Sequence, residues 1–358
     1  MRERRALWAS SEVQGGISSY VRVIQQTPLW TGWNIRLVGT HRAGTSAVKI
    51  RAFARGALLF LVELMRFRPN VIHLHAASDT SFIRKAILVW LSRPARIPVV
   101  LHMHGSRIQN YYEASPRMIQ AFIRATLCRA SAVIALGEFW ATRLREIAPA
   151  AHIVVIPNAV QPACRTTQPV AGEPVNVVFL GSIGEHKGAF RLLDAWAELS
   201  RDARLGAGAQ KAATLTIAGN GEVERARERI RELRVHDTVE ICDWLSESKV
   251  GELLDHAQVL VLPSLNEGQP MAVLEAMARG LCVIASDVGG LPEMIGGGCG
   301  VIVKPDDIEA ITAALGLVIE DHELRARYGA AAYARAADRY DVRTVWRQLD
   351  ALYREVSR

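Results

Sequence analysis

Twelve short apolar runs, separated by helical patterns, constrain the fold of this chain more than any other feature of its sequence. Runs of three to six residues that are apolar on both faces are typical of buried parallel strands in β–α–β units. We therefore predict an α/β protein with parallel sheets, whose ligands bind at the carboxyl ends of the strands. The predicted strands are about Ala6 to Ala9, Ile35–Val38, Val71–Leu74, Val99–His102, Ala132–Ala135, Ile153–Ile156, Val175–Leu180, Thr214–Ala218, Val239–Cys242, Val259–Leu262, Val283–Ala285 and Gly300–Val303.

A break rich in proline divides this series of strands. Residues 161–174 contain three prolines and show no hydrophobic periodicity, which predicts an interdomain linker. At 358 residues the chain exceeds the usual size of one domain. We predict one α/β domain over residues 1–160, a second over 175–339, and a C-terminal helix over 340–358. Residues 201–213, rich in Gly and Ala, are predicted to form a surface insertion.

The charge is unevenly distributed along the chain. Residues 1–165 contain 22 Lys and Arg against 7 Asp and Glu, a net charge of +15, whereas the rest contains 21 against 29, a net charge of −8. This asymmetry predicts an anionic partner for the first half: nucleic acid, an anionic membrane surface or a phosphorylated substrate. A nucleic-acid-binding protein is disfavoured, because no aromatic stacking module or recognition motif accompanies the basic residues.

The cysteines and the apolar segments predict the compartment. Five cysteines are scattered without close pairs, which disfavours a disulfide framework or a zinc site and favours a reducing compartment. No apolar run of signal-peptide length follows the N-terminus, so we expect no secretion signal. The longest strongly apolar stretch, Ala57–Met65, contains Glu63 and is too short to span a bilayer.

The sharpest motif is a loop and a helix that carry two carboxylates. Residues 263–280 read PSLNEGQPMAVLEAMARG and directly follow a predicted strand. Glu267 lies in the loop, and Glu275 lies about two turns into the helix whose first turn should contain Pro270. The free amides and positive dipole end of a helix N-terminus suit a phosphate, and each carboxylate can accept two sugar hydroxyls. The alternative is an ordinary helix start with two solvated glutamates.

Two consecutive blocks in this region resemble a known enzyme family. The pattern PSxxEGxPxxxxEAMAxG in residues 263–280, followed by SDVGGLPEMI in residues 286–295, resembles the retaining glycosyltransferases of family 4. The resemblance covers nearly the whole chain. It implies the GT-B fold, in which two Rossmann-like domains face a central cleft and a C-terminal helix crosses back to the N-terminal domain. It also implies a nucleoside-diphosphate sugar as donor substrate and no cofactor.

The resemblance gives each residue of the 263–280 motif a role. Glu267 would contact the donor hexose, and Glu275 would hold the ribose hydroxyls. The residues that would supply the loop and the backbone amides around the sugar and the diphosphate are Gly268, Gln269, Pro270 and Met271.

A second loop with this resemblance follows the predicted strand Val175–Leu180. Residues 181–188 read GSIGEHKG, and the family implies that Lys187 contacts the donor diphosphate. The family usually has an arginine where this chain has Ser182. Neutralisation of the leaving group should then rest more on Lys187, or on a basic residue that the sequence does not identify. The alternative is a turn lysine in solvent.

Three further loops complete the expected donor site. Gly15 and Gly16 resemble the family's first glycine loop, where a helix N-terminus would approach the donor phosphate. Gly219 and Asn220 resemble the glycine loop of the nucleotide-binding domain. The residues that would contact the base through their backbone are Asp243, Trp244 and Leu245.

Two pairs of histidines lie at the ends of predicted strands. His102 and His104 alternate along an extended chain, so they point to the same face. The resemblance implies that His104 lies beside the donor sugar. A zinc site on this pair is disfavoured, because no third ligand has suitable spacing. His73 and His75 form a similar pair, and for His73 we favour a packed, hydrogen-bonded histidine.

The expected chemistry is transfer without a metal. The chain contains no Asp-x-Asp triplet, which commonly holds the diphosphate-binding metal in the other large glycosyltransferase fold. Helix N-termini and Lys187 should therefore stabilise a UDP or GDP leaving group. The family implies retention at the anomeric carbon, and we expect same-face attack in which the departing phosphate oxygen takes the acceptor proton. The expected catalytic residues are His104, Lys187 and Glu267.

The basic first half fits this family, because the N-terminal domain of the fold holds the acceptor. A glycan linked to polyprenyl diphosphate at a membrane surface would be anionic and amphipathic. Residues 49–68 suit a basic helix on anionic lipid, and the alternative is an ordinary domain helix. The residues that carry this pattern are Lys49, Arg51, Arg55, Arg66 and Arg68 with Phe53, Leu58, Leu59, Phe60, Leu61, Met65 and Phe67.

Together these patterns predict a cytoplasmic hexosyltransferase that is peripheral on the inner face of the membrane. Its expected role is the synthesis of bacterial exopolysaccharide, capsule or O-antigen. Two alternatives use the same double-Rossmann fold: a nucleotide-sugar epimerase and a phosphorylase. The motif in residues 263–280 disfavours both.

Overall fold

The computed structural model describes residues 4–169, 173–201 and 212–358. The chain forms two compact units: unit 1 is Met1–Ala159 with Asp341–Arg358, and unit 2 is Val160–Tyr340. Each unit contains a six-stranded sheet in which all neighbouring strands are parallel. The prediction of an α/β protein with parallel sheets is therefore confirmed.

Unit 1 is built from six strands and eight helices within the described residues. Its strands are β1 (Ala6–Ser10), β2 (Arg36–Gly39), β3 (Val71–Ala76), β4 (Val99–Met103), β5 (Ala132–Ala135) and β6 (Ile153–Val155). Its α-helices are α1 (Gly16–Gln25), α2 (Pro28–Gly32), α3 (Ser46–Arg66), α4 (Thr80–Leu91), α5 (Ile108–Ala114), α6 (Arg117–Arg129), α7 (Glu138–Ile147) and the C-terminal α15 (Val342–Val356). The strand order is β2-β1-β3-β4-β5-β6.

Unit 2 repeats this plan. Its strands are β7 (Val175–Leu180), β8 (Ala213–Ala218), β9 (Val239–Cys242), β10 (Val259–Leu262), β11 (Cys282–Ser286) and β12 (Val301–Val303). Its described α-helices are α8 (Ala189–Arg201), α9 (Val223–Leu233), α10 (Glu247–Asp255), α11 (Met271–Met277), α12 (Leu291–Ile295), α13 (Ile308–Glu320) and α14 (His322–Arg335). The strand order is β12-β11-β10-β7-β8-β9.

All twelve predicted strands are present, and their ends differ from the prediction by at most two residues. The largest difference is in β3, which continues through His75 to Ala76. The prediction ended this strand at Leu74, but the backbone pairing with β4 continues, and His75 lies opposite His102. A strand end is set by hydrogen bonding between backbones, which apolar patterning does not report.

Two segments named in the sequence analysis fall partly outside the described residues. These are residues 202–211 of the expected surface insertion and residues 170–172 of the expected linker. Residues 161–169 form no helix or strand, and the Thr166 amide donates to the Arg279 carbonyl at 2.8 Å in unit 2.

Each sheet has one point where the strand order reverses. In unit 1 the chain runs from β1 outward to β2 and then returns to β3 on the other side of β1. In unit 2 it runs from β7 to β8 and β9 and then returns to β10 on the other side of β7. Ligands of open α/β sheets bind outside the carboxyl ends of the strands at such switch points. The loops after β1 and β3, and those after β7 and β10, are therefore the places to look for a site.

The C-terminal helix α15 packs in unit 1, although it follows unit 2 in the sequence. Trp33 Nε1 donates to Asp350 Oδ1 at 2.8 Å, and the Tyr353 hydroxyl lies 2.5 Å from His73 Nδ1. Leu349 and Tyr353 are fully buried. The helix begins after Asp341, whose carboxylate accepts from the Arg343 amide as an N-cap.

Helix α3 corrects part of the expectation for residues 49–68. Phe60 and Phe67 are 0% and 4% exposed and belong to the core of unit 1, so they are not available to a lipid surface. The helix approaches the sheet closely at Gly56, where a Cβ atom would lie 2.4 Å from the Gly39 carbonyl oxygen. The sequence could not separate the two faces, because apolar residues occupy both.

No helix in the described part of the chain has the length and apolar character that crossing a bilayer requires.

Candidate functional site

An ion pair lies at the switch point of unit 2. Lys187, from the loop after β7, places Nζ 2.5 Å from Oε1 of Glu267, from the loop after β10. Ser264 Oγ donates to the same carboxylate oxygen at 2.7 Å. The Glu267 side chain is 6% exposed, whereas that of Lys187 is 32% exposed. The structure therefore brings together two residues that are 80 positions apart, and compensates a buried carboxylate with a cation that solvent still reaches.

Backbone contacts hold these two loops together. Gly188 has a φ of +75°, and a Cβ atom there would lie 2.1 Å from the Pro263 carbonyl oxygen. The Leu265 amide donates to the His186 carbonyl at 2.9 Å. Only glycine adopts this backbone conformation and permits this approach without strain. Gly188 thus determines how closely Lys187 approaches Glu267, a role that the sequence analysis did not assign to it.

The glycine loop after β8 joins the same edge of the sheet. A Cβ atom on Gly219 would lie 1.7 Å from the Gly181 carbonyl oxygen, so these two loops also pack backbone to backbone. The Ile183 amide donates to the Asn220 carbonyl at 2.6 Å. The Asn220 side chain is exposed at this edge. The structure therefore places the loops after β7, β8 and β10 side by side.

The loop after β10 leads into a short helix. Glu267, Gly268, Gln269 and Met271 are buried in it. Pro270 is the N-cap of α11 and precedes the helix, whereas the sequence predicted it within the first turn. The φ and ψ of Pro270 are extended and not helical, so the helix begins one position later, at Met271. Glu275 lies on α11 and is half-buried.

The residues expected to contact a base lie at the edge of the unit 2 sheet. Asp243, Trp244 and Leu245 follow β9, and the Trp244 side chain is 43% exposed. Asp243 Oδ1 lies 3.4 Å from Arg227 Nη2. The exposed indole offers a flat apolar surface on which an aromatic base can stack.

Ser182 is exposed in the loop where the family usually has an arginine. Two arginines near this loop already have carboxylate partners. Arg191 pairs with Glu185 and Asp306, and Arg225 pairs with Glu185. These arginines therefore belong to an ion-pair network, and Lys187 is the cation that the structure places beside the Glu267 carboxylate.

In unit 1, the glycine pair follows β1 at the switch point. Gly15 is the N-cap of α1 with a φ of +153°, and Gly16 is the first residue of the helix. Ser18 Oγ accepts from the Gly15 amide at 2.9 Å and donates to the Gly15 carbonyl at 2.8 Å. The serine holds the loop in a conformation that leaves the helix N-terminus at the carboxyl edge of the sheet.

Four histidines form one cluster at the ends of β3 and β4. His73 Nε2 lies 3.1 Å from His102 Nδ1, and His75 Nδ1 lies 2.9 Å from His104 Nε2. Burial lowers the pKa of all four, that of His104 to about 3, so they are neutral at physiological pH. The Trp8 ring stacks on His73 with centroids 4.6 Å apart.

This cluster corrects the argument used against zinc. His73, His75 and His102 can offer nitrogen atoms that all lie within 4.8 Å of one another. Three neutral imidazoles are a donor set that zinc accepts, and the third ligand comes from a neighbouring strand, which sequence spacing cannot show. In the structure His73 hydrogen-bonds to His102 and Tyr353, and His75 hydrogen-bonds to His104. Metal-independent transfer stays a prediction.

Two families of known proteins match the chain. The family described as glycosyl transferases group 1 matches residues 161–335, and the one described as glycosyl transferase 4-like domain matches residues 18–159. The 2-deoxystreptamine N-acetyl-D-glucosaminyltransferase of Streptomyces fradiae is 29% identical over 333 residues, which cover 88% of this chain and 76% of that protein. Glycogen synthase of Mycobacterium tuberculosis is 28% identical over 296 residues, which cover 78% of this chain and 67% of that protein.

A solved structure has a similar fold. An Anabaena protein in complex with UDP and glucose aligns with a TM-score of 0.76 and 19% identity, covering 98% of this chain and 100% of that chain. At this identity the likeness concerns the fold.

Proposed function

The chain has the GT-B fold and belongs to the group 1 glycosyltransferases, and from this premise we propose that it is a retaining hexosyltransferase. Its donor would be a UDP- or GDP-sugar, and its acceptor a hydroxyl of a lipid-linked saccharide. The observation that carries this proposal is the Lys187–Glu267 pair at the switch point of unit 2, flanked by two glycine loops. This edge offers a cation and a carboxylate, which are groups that a diphosphate and a sugar need.

The leaving diphosphate gains negative charge as the glycosidic bond to the donor breaks. We propose that Lys187 stabilises this charge, since its side chain remains 32% exposed and can reach a second anion. Without donor, Lys187 compensates the buried Glu267 carboxylate. With donor, Glu267 would accept hydrogen bonds from hexose hydroxyls, while Ser264 keeps donating to it.

For the remaining donor residues we propose the roles that the family resemblance implies. Glu275 on α11 would accept the ribose hydroxyls, and Trp244 with its two neighbours would border the base. The Anabaena protein was solved with UDP, which makes a UDP-sugar our first choice for this chain.

In unit 1, we propose that His104 acts on a sugar hydroxyl as a neutral hydrogen-bonding group. Burial lowers its pKa to about 3, so it does not serve as a general acid near neutral pH. The His75 ring, 2.9 Å away, orients it. Proton transfer from the acceptor to the departing phosphate oxygen then needs no protonated side chain.

The acceptor is proposed to reach the enzyme at a membrane surface. Ile50, Leu58 and Met65 are 69%, 63% and 69% exposed on α3, beside the exposed Arg51 and Arg55. Apolar side chains flanked by arginines suit the headgroup region of an anionic bilayer. A saccharide carried on polyprenyl diphosphate, as in bacterial polysaccharide assembly, would be presented there.

Glu267→Gln tests the proposed donor site. We expect transfer to fall by about a hundredfold or more, because hydrogen bonds that form in the transition state are lost. The fold should persist, since the partly exposed Lys187 can be hydrated. The measurement is turnover of the preferred donor, chosen by a thermal-shift screen of UDP-, GDP- and ADP-sugars, with Glu309→Gln on an exposed face of α13 as the matched control.

Product analysis separates this proposal from its alternatives. A glycoside with the anomeric configuration of the donor supports a retaining transferase. Free sugar phosphate would indicate a phosphorylase, and an epimerised donor would indicate an epimerase. Unchanged turnover of Glu267→Gln would refute the site assignment even if a glycoside forms.

A further inference from the structure

A second lysine, Lys85, is buried in unit 1. It lies on α4 among the core residues Phe82, Ala86 and Val89, and its side chain is 2% exposed. Among the described residues, no carboxylate oxygen lies within 4.0 Å of its Nζ, which donates to Thr40 Oγ1. An isolated ammonium in a core is costly, and a methionine would fill this space without that cost. The fold itself therefore does not require a charge at this position.

The surroundings place Lys85 at the carboxyl edge of the sheet. Thr40 follows β2, and its hydroxyl donates to the carbonyl of Ser10, the last residue of β1, at 2.9 Å. The Glu12 amide donates to the His41 carbonyl at 2.9 Å and joins the loops after these two strands. The Glu12 carboxylate lies against Gly39. Ligands of parallel sheets bind at this edge, so the buried ammonium lies where a ligand can reach its neighbours.

Arg84 and His41 are the chain neighbours of the two residues in this contact, Lys85 and Thr40. Arg84 Nε and His41 Nδ1 are buried, and neither has a hydrogen-bond partner within the ranges that the structure describes. Burial lowers the pKa of His41, and the charges of Arg84, Lys49 and Lys85 lower it further. Arg84 and Lys85 thus place two positive charges beside a histidine that is largely neutral at pH 7, and an anion bound among them would offset these charges.

We propose that Lys85, Arg84 and His41 form a subsite for a phosphoryl group of the acceptor. This inference rests on the proposed function, because it identifies the acceptor as a phosphate ester or diphosphate. A guanidinium and an ammonium together suit the oxygens of a phosphate, and the imidazole adds one N–H donor. The donor diphosphate has its own proposed cation, Lys187, in unit 2.

The proposed subsite also gives a reason for a buried lysine that has no counter-ion among the described residues. Burial lowers the pKa of this lysine to about 7. A bound phosphate would provide the counter-ion that the fold omits and would favour the protonated lysine.

The test measures phosphate binding by calorimetry with the full chain. Pyrophosphate and farnesyl diphosphate are titrated in the presence of saturating UDP, which fills a donor site. We expect both to bind the wild type, and to bind Lys85→Met and Arg84→Gln at least about tenfold more weakly. Arg96→Gln is the matched control, because Arg96 precedes β4 and so lies at the opposite, amino edge of the same sheet. It should bind like the wild type.

Each outcome decides the inference. Equal binding by the wild type, Lys85→Met and Arg84→Gln would overturn it, as would the absence of binding to the wild type. Arg84→Gln keeps the test informative if Lys85→Met does not fold. Loss of UDP binding in Lys85→Met would place the donor at this subsite and refute an acceptor role. Failure of the proposed function is seen separately, in the Glu267→Gln turnover.

Discussion

Lys187 and Lys85 lie at equivalent edges of the two sheets but in opposite electrostatic situations. Lys187 is partly exposed and is paired with a buried carboxylate, whereas Lys85 is buried and has only a threonine hydroxyl within hydrogen-bonding distance among the described residues. Unit 2 therefore compensates the charges at its edge internally. In unit 1, a bound ligand would have to supply the counter-ion. The two edges differ in whether the fold or a ligand supplies the counter-ion.

Breaking the paired lysine should have the largest effect. Lys187→Met removes the cation that we assign to the leaving diphosphate, so turnover should fall by about 10²- to 10³-fold. It also leaves the Glu267 carboxylate buried without its cation, beside the Ser264 hydroxyl that donates to it, and should lower the free energy of unfolding by about 1–3 kcal/mol. Turnover and urea denaturation measure the two effects.

Glu267→Gln is the internal control for that prediction. It removes the other partner of the same pair, but it leaves a lysine that water can reach. Its loss of stability should therefore be smaller than that of Lys187→Met. Equal losses would show that burial does not distinguish the two partners.

Removing the unpaired lysine should change stability in the opposite direction. The pKa of Lys85 is lowered from 10.5 to about 7, so between these values the unfolded chain binds a proton that the folded chain does not. The penalty for the buried charge is thus complete below pH 7 and disappears as the pH rises to 10.5. Lys85→Met should be more stable than the wild type by up to about 5 kcal/mol at pH 6.

The pH dependence of this difference is the decisive measurement. Urea denaturation of both proteins at pH 6, 8 and 10 should show the advantage of Lys85→Met shrinking as the pH rises. If the stability difference between Lys85→Met and the wild type is the same at every pH, it comes from a change in side-chain packing and not from the charge.

The smallest effect concerns two exposed arginines on the surface of unit 1. Arg51 and Arg55 on α3 are exposed, and each should contribute about 1 kcal/mol to binding an anionic membrane. The variant Arg51→Gln/Arg55→Gln should therefore co-sediment less with phosphatidylserine vesicles than the wild type does. High salt should reduce the wild-type binding in the same way. Arg143→Gln/Arg145→Gln, which removes two ion-paired arginines of α7, should behave like the wild type.

The sequence predicted the parallel strands and the family because both depend on local patterns. Apolar runs identify buried strands, and the glutamates of residues 263–280 lie in a recognisable context. What it missed depends on contacts between distant residues. The pairing of Lys187 with Glu267 requires Gly188 to approach Pro263, and the histidine cluster requires two strands in register.

Lys85 shows the same limit at a single position. In the sequence it is one basic residue in a helical segment, and the local pattern offers one indication that its side chain points into the core. A lysine within an otherwise apolar helix face was the available signal. The sequence could not separate the buried face of α3 from its exposed face for a similar reason. Helical periodicity does not show which side of a helix the sheet covers.

The position of α15 affects the order in which the two units can finish folding. Residues 341–358 are synthesised after all of unit 2, yet Tyr353 covers His73 and Asp350 binds Trp33 in unit 1. On the ribosome, unit 2 can therefore close its core before unit 1 can. The half of the chain that is made first is the half that finishes folding last, and its histidine cluster stays uncovered until then.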